Sequence, residues 1–394
     1  MKTLFIAPID VIFFRDGRSF SAGADHEAQT LFPPLPASFY GAIRSAMLSQ
    51  KNAQFSKNGF LINDATASQE VGTATKLGTL QIQFFSLARI QNGAVEALFP
   101  IPFNVLKQKK AKPAKLTLIS PQRLPAGIKA NFPISSMQFL WSVHSENEFY
   151  ENESGFLSLN AFQRYLEGKA PNESDIISPK NIYEKEPRTG IRLKASKTTG
   201  EGQLFSVEFI RLQDGVGFLL SLENADSLSD NGLLRIGGEG KAASYKTANV
   251  PSFDKVEEIQ KKVEAQKKFK IVLFTPAVFK EGWIPDGIDS KTGEGSLFSC
   301  KVKLIGASVG RFITVGGWDI AKNRPKPTYR AVPAGSAYFF RIVRRRCKNA
   351  FIIFRKIYSR RRLGKARVRD FLHRRNFLKE ENNVQTRFCN VSLR

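Results

Sequence analysis

The chain has 394 residues, enough for two ordinary domains with full cores, and its net charge of +25 asks for a polyanionic partner. RNA or DNA comes first, an anionic membrane surface second, and no apolar run approaches the roughly 18 residues of a spanning helix. Three scattered cysteines (Cys300, Cys347, Cys389) exclude a disulfide framework and a Cys-x-x-Cys metal site, which fits a reducing, cytoplasmic setting.

Thr3–Ala7 predicts a first strand, broken at Pro8 and Asp10 before anything resembling a signal-cleavage site. A second apolar stretch, Val11–Phe14, leads into a turn at Arg15-Asp16-Gly17-Arg18. The string Phe32-Pro33-Pro34-Leu35-Pro36 reads as a stiff lead-in to a helix, or as a polyproline II docking segment. Ser38 is the expected N-cap of a helix reaching about Leu48, with Phe39, Ile43 and Met47 on one face and Arg44 beside Ile43. Leu80–Ile90 and Val95–Phe99 predict a hairpin closed by Asn92-Gly93. Lys107–Lys115 holds five lysines without an apolar period and reads as a mobile basic loop.

Ser158–Gly168 predicts a short helix with Leu159, Phe162 and Leu166 inward. The polar stretch 171–187 has no period and is the expected linker between an N-terminal domain (1–170) and a C-terminal one (188–340). Gly202–Arg211 and Gly215–Leu222 read as paired strands, Phe253–Phe269 as a charged helix, and Ile271–Thr275 and Lys301–Ile305 as two more strands. Each half mixes strands with one or two helices, so the fold class is α+β.

Chemistry-bearing motifs point to phosphate contact. Arg15, Arg18 and Arg44 offer planar guanidinium forks for RNA phosphates; the alternative pairs Arg15 with Asp16 or Asp10 and leaves the others solvated. Arg235-Ile236-Gly237-Gly238-Glu239-Gly240-Lys241 fails the P-loop pattern, with Ala242 where Ser or Thr belongs, and fails Gly-x-Gly-x-x-Gly too. What remains is a bare backbone loop flanked by Arg235 and Lys241, suited to close approach by a sugar-phosphate chain, or a simple tight turn. Gly316-Gly317-Trp318 offers a glycine turn whose tryptophan stacks on a base or fills a core. Catalytic candidates are thin. His26, His144 and His373 lie far apart, and His26 near Arg18 and Ser19 is a base for metal-independent RNA cleavage or a loop histidine without a role. There is no metal-ligand cluster and no cofactor motif.

These residues carry a family resemblance. Phe14-Arg15-Asp16-Gly17-Arg18, Phe32-Pro33-Pro34, Phe39-Tyr40-Gly41-Ala42 with Arg44, Glu186 with Arg188-Thr189-Gly190-Ile191, Gly237-Gly238-Glu239-Gly240, Gly316-Gly317-Trp318 and Val332-Pro333-Ala334-Gly335-Ser336 occur in family order. The chain resembles the RAMP-superfamily subunit that caps the 5′ tag of the guide RNA in type III-B (Cmr) CRISPR effector complexes. The resemblance implies two ferredoxin-like (RRM-like) domains whose glycine-rich loops and basic grooves hold the tag of the crRNA. Arg15, Arg18, Arg44, Arg235, Gly237, Gly238, Lys241, Gly316 and Gly317 are the corresponding RNA-binding residues. It implies docking to the large polymerase-like subunit and to the backbone RAMP subunit, a role in antiviral defence, and no catalysis of its own. A RAMP-type endoribonuclease processing repeat RNA, with His26 as base, is the alternative.

The tail, residues 341–394, departs from the rest. It carries 18 Lys+Arg against 3 Asp+Glu, where the preceding 340 residues carry 42 against 32. It reads as an out-of-frame translation following Phe340, or else as a basic RNA-binding arm.

Overall fold

The computed structural model describes residues 1–15, 27–56, 59–73, 76–109, 115–128, 131, 134, 137–141, 150–191, 196–198, 204–249, 256–297, 300–319, 324–343 and 391–392. Its longer strands are β1 (Lys2–Pro8), β2 (Gln81–Gln91), β3 (Ala94–Pro100), β4 (Tyr183–Ile191), β5 (Leu204–Leu212), β6 (Val216–Glu223), β7 (Asn231–Ile236), β8 (Lys241–Thr247), β9 (Lys268–Val272), β10 (Cys300–Ser308) and β11 (Ala337–Ile342). The helices are α1 (Pro36–Gln50), α2 (Ala65–Val71), α3 (Leu159–Leu166) and α4 (Val256–Gln266). The fold is mixed, mostly sheet with few helices.

An eight-stranded sheet runs in the order Ile176–Ile177, Phe156–Leu157, β3, β2, β6, β1, β8, β7, with every pairing antiparallel. Period-two alternation sends its side chains to two different cores. Leu4, Ile6, Phe85, Phe218 and Leu220 face α1, where Phe39, Ile43 and Met47 are fully buried as their spacing predicts. Phe5, Phe84 and Leu219 face the other way, toward a second sheet. That sheet runs Glu294–Leu297, β10, β11, β9, Val391–Ser392, again all antiparallel. Phe274 joins the two layers, with its ring 4.8 Å from Phe99, 5.0 Å from Phe162 and 6.5 Å from Phe84.

The hairpin β2–β3 forms as read: Asn92 and Gly93 both take positive φ (51° and 75°), the two-residue turn that matches strand twist. Other expectations shift. Helix α1 starts at Pro36, with Leu35 as an N-cap that makes no side-chain bond, so Ser38 lies inside the first turn rather than capping it. In α3, Ser158 is the N-cap, accepting from the Ala161 N–H at 3.2 Å. The start of the lysine-rich stretch is a strand, Val105–Gln108, and Lys107 pairs with Glu153 at 2.8 Å. Residues 110–114 lie outside the described residues.

Strands β5 and β6 are not partners. β6 is buried from Val216 to Leu222 on both faces, and such a strand belongs inside a sheet; it sits between β1 and β2. β5 is only partly buried, with Leu204 and Arg211 exposed, and pairs with β4 instead. The 171–187 stretch is likewise no plain linker, since it holds Ile176–Ile177 and the start of β4. The first sheet therefore draws strands from both sides of the expected boundary, and its strand order does not by itself resolve into two ferredoxin-like units. Cys300, buried on β10, is disulfide-bonded, which the spacing did not suggest. Most of the tail (344–390) lies outside the described residues. Among the described residues no helix is long and apolar enough to cross a membrane.

Candidate nucleic-acid interface

Three sequence motifs far apart in the chain converge at the rim of the first sheet. Val11–Phe14 forms no strand but is buried, and Ile12 exchanges backbone hydrogen bonds with Ile210 of β5 at 2.8 and 2.9 Å. Val11, Phe13, Ala28, Val207 and Phe209 make a small separate core there.

The glycine loop between β7 and β8 closes over this core. Gly237, Glu239 and Gly240 all have positive φ (66°, 57° and 60°), so the tight-turn reading of the loop holds. A side chain at Gly237 would run into the Phe13 carbonyl oxygen, and one at Gly238 would stand 2.6 Å from the Phe13 ring. The N–H of Gly238 donates to that same carbonyl at 2.6 Å. Glycine is required here because the backbone lies directly on the Phe13 segment.

Charges ring the loop. The Arg188 guanidinium lies 5.1 Å from the centre of the Phe209 ring and the Lys241 ammonium 5.0 Å from it, so one aromatic ring positions two cations. Glu186 accepts from Arg188 (Nε, 2.8 Å) and from Arg211 (Nε, 2.7 Å), and Asp10 pairs with Arg211 at 3.2 Å. Lys241 pairs with Glu239 at 3.4 Å. The two guanidinium hydrogen bonds, Arg211 first, hold the Glu186 carboxyl below its ordinary pKa. Asp10 is lowered too, chiefly by a hydrogen bond from the Val11 N–H and then by Arg211. Exposed Arg235 folds back over Gly240, its guanidinium 2.5 Å from where a β-carbon would stand. The result is a bare-backbone loop with cations held in fixed directions, able to take a sugar-phosphate chain at close range.

Of the expected contact residues, Arg235, Gly237, Gly238 and Lys241 come together here. Arg15 is exposed one residue beyond the buried Phe14 and bridges to Thr30, while Arg18 lies outside the described residues. Arg44 is placed differently. Its Nε donates to the Val71 carbonyl at 2.9 Å, another nitrogen donates to the Thr73 carbonyl, and the group lies 5.5 Å from the centre of the Phe60 ring. Burial lowers its pKa, partly offset by Tyr40. Its fork thus ties α1 to the end of α2 and the turn after it instead of facing a phosphate. Arg188, Arg211 and Phe209, which the structure brings to this loop, were not among the expected contact residues; Glu186 and Arg188 stood in a motif, but nothing local linked them to the glycine loop.

Gly316 and Gly317 sit in a separate hairpin, between Ile313–Val315 and Trp318–Asp319, with the Gly317 carbonyl accepting from the Lys326 N–H at 2.9 Å. Neither takes positive φ, and a β-carbon at Gly317 would meet only the Lys326 stem at 3.7 Å. The foot of this hairpin, Val315 and Ala331, lines a small cavity with Leu35, Pro36, Ala37, Pro276 and Val278. The proline string therefore serves as the packed lead-in to α1. His26, His144 and His373 lie outside the described residues, and no group of potential metal ligands occurs among those described.

A sequence model of the family described as "CRISPR-associated protein (Cas_Cmr3)" matches residues 4–348. The chain belongs to the Cas_Cmr3 family. As a member of it, this is a Cmr-type subunit of a type III CRISPR effector complex. Among solved structures, a chain of "Cryo-EM structure of the Type III-B Cmr-beta bound to cognate target RNA" is similar at 15% identity, with 86% of each chain covered and a TM-score of 0.48. A chain of "Crystal structure of Csm3-Csm4 subcomplex in the type III-A CRISPR-Cas interference complex" is similar at 13% identity, covering 87% of this chain and 95% of that one, with a TM-score of 0.40. No curated protein matches.

Proposed function

We propose that this Cas_Cmr3-family chain is the RNA-holding, non-catalytic subunit of its effector complex. It grips the 5′ tag of the crRNA and docks the large polymerase-like subunit and the backbone RAMP subunit. One observation carries the reading: the Phe13–Phe14 segment, the Glu186–Arg188 segment and the Gly237–Gly240 loop meet in a single surface with bare backbone and directed cations. Single-stranded RNA is recognised by backbone clamps of this kind together with cations that track phosphates.

The test is binding of guide RNA with and without its 5′ tag across a salt series, using complexes assembled with the wild-type chain or with Arg188→Gln/Lys241→Gln. Tag preference that persists at high salt, and is lost in the double variant, supports the role. Tag-blind binding that fades steeply with salt overturns it, since nonspecific phosphate contact behaves that way.

A further inference from the structure

The hairpin that carries Gly316 and Gly317 has a feature the glycine-loop surface does not use. Phe312 is 47% exposed at its start. The guanidinium of Arg330, on the facing strand Tyr329–Ala331, lies 4.7 Å from the centre of that ring. Arg311, Arg324, Lys326 and Arg330 are all exposed, and among the described residues none of the four has an ion-pair partner. This contrasts with Arg188, Arg211 and Lys241, whose charges are matched by carboxylates. The hairpin is also firmly seated. Val315 and Ala331 are buried at its foot, and Gly310 is pressed against the Phe103 ring and Pro333, where a β-carbon would be 2.6 and 3.0 Å away.

We propose that Phe312 is a stacking platform for one unpaired base of the bound RNA. Arg330 supports the ring, and the unmatched cations of the hairpin hold the flanking phosphates. The inference rests on the RNA-holding reading above and adds a second contact surface to it. A phenyl ring held beside a guanidinium is preorganised for a third flat partner, and base-on-aromatic stacking tolerates any base. The unmatched positive charge favours a polyanion over an apolar protein surface.

The experiment uses the assembled complex with guide RNA carrying 2-aminopurine at one position at a time, and reads fluorescence quenching and affinity. Expected is one position whose quenching is relieved in Phe312→Leu and kept in Phe312→Trp. Affinity in Phe312→Leu falls by about fivefold or more. Identical quenching at every position in wild type and Phe312→Leu, with RNA still bound, overturns the platform and leaves tag recognition standing. Loss of the subunit from the complex in Phe312→Leu without any change in RNA fluorescence also overturns it, assigning the patch to a protein partner. Quenching that depends on Phe312 in a complex showing no tag preference supports the platform while overturning tag recognition.

Discussion

The backbone N–H of Gly238 donates to the carbonyl oxygen of Phe13 at 2.6 Å, tying the loop between β7 and β8 to the segment that follows β1. The contact leaves no room for a β-carbon, so the loop's geometry and the Phe13 segment's position are specified together.

Gly237→Ala is therefore expected to cost about 1–3 kcal/mol, combining positive-φ strain with the clash against Phe13. Gly93→Ala is the control. Its φ is 75° but nothing lies within 4 Å of the added carbon, so about 1 kcal/mol is expected. Denaturant unfolding of both variants measures the difference; equal losses would show that the Phe13 contact adds nothing.

Arg44→Ala is expected to destabilise the fold by about 1–3 kcal/mol by removing the guanidinium hydrogen bonds to the Val71 and Thr73 carbonyls. The salt dependence of RNA binding should not move. A shallower salt slope in this variant would return Arg44 to the phosphate-binding set.

Glu186→Gln removes the carboxylate shared by Arg188 and Arg211. RNA binding should tighten, and its logarithmic salt slope should steepen by about 0.7 for each guanidinium released to a phosphate. Filter binding over a salt series reads both. Unchanged affinity and slope would mean that neither arginine reaches RNA.

Asp10 and Glu186 both titrate below their ordinary values. For a depressed carboxyl the stabilisation is complete above its unfolded-state pKa and is lost as pH falls through the lower folded value. Melting temperature in the wild type should therefore hold down to about pH 4 and fall below it. Asp10→Asn should start lower and show a shallower acid fall. A parallel fall in the two proteins would remove Asp10 from the pH dependence.

Phe274→Ala should cost about 3–5 kcal/mol, because the ring fills the space between Phe99, Phe162 and Phe84 where the two sheets meet. Calorimetry checks this. A loss under 1 kcal/mol would mean that the layers are held elsewhere.

Local patterns were legible where local chemistry decides. The spacing of Phe39, Ile43 and Met47 gave the buried face of α1, and Asn92-Gly93 gave the hairpin turn. Ser38 did not cap α1, because Pro36 already fits the first helical position and starts the helix earlier. Strand partners were not legible. β5 and β6 follow each other closely, and it is their burial in the fold, partial against continuous, that sets them apart. The site shows the same limit. The glycine loop and the arginine motif were each visible, but their meeting on Phe209 depends on a satellite core with no sequence signature. Arg44 looked like a surface fork because its acceptors belong to another helix.

β1 stands between β6 and β8, so it is hydrogen-bonded on both edges by strands made much later. At ribosomal speeds of about 5–20 residues per second, Lys2–Pro8 waits on the order of ten seconds or more before residue 216 is even synthesised. During that interval the nascent chain holds an apolar strand with both edges open, a period in which chaperone binding is favoured and misassembly with a neighbouring nascent chain competes with folding.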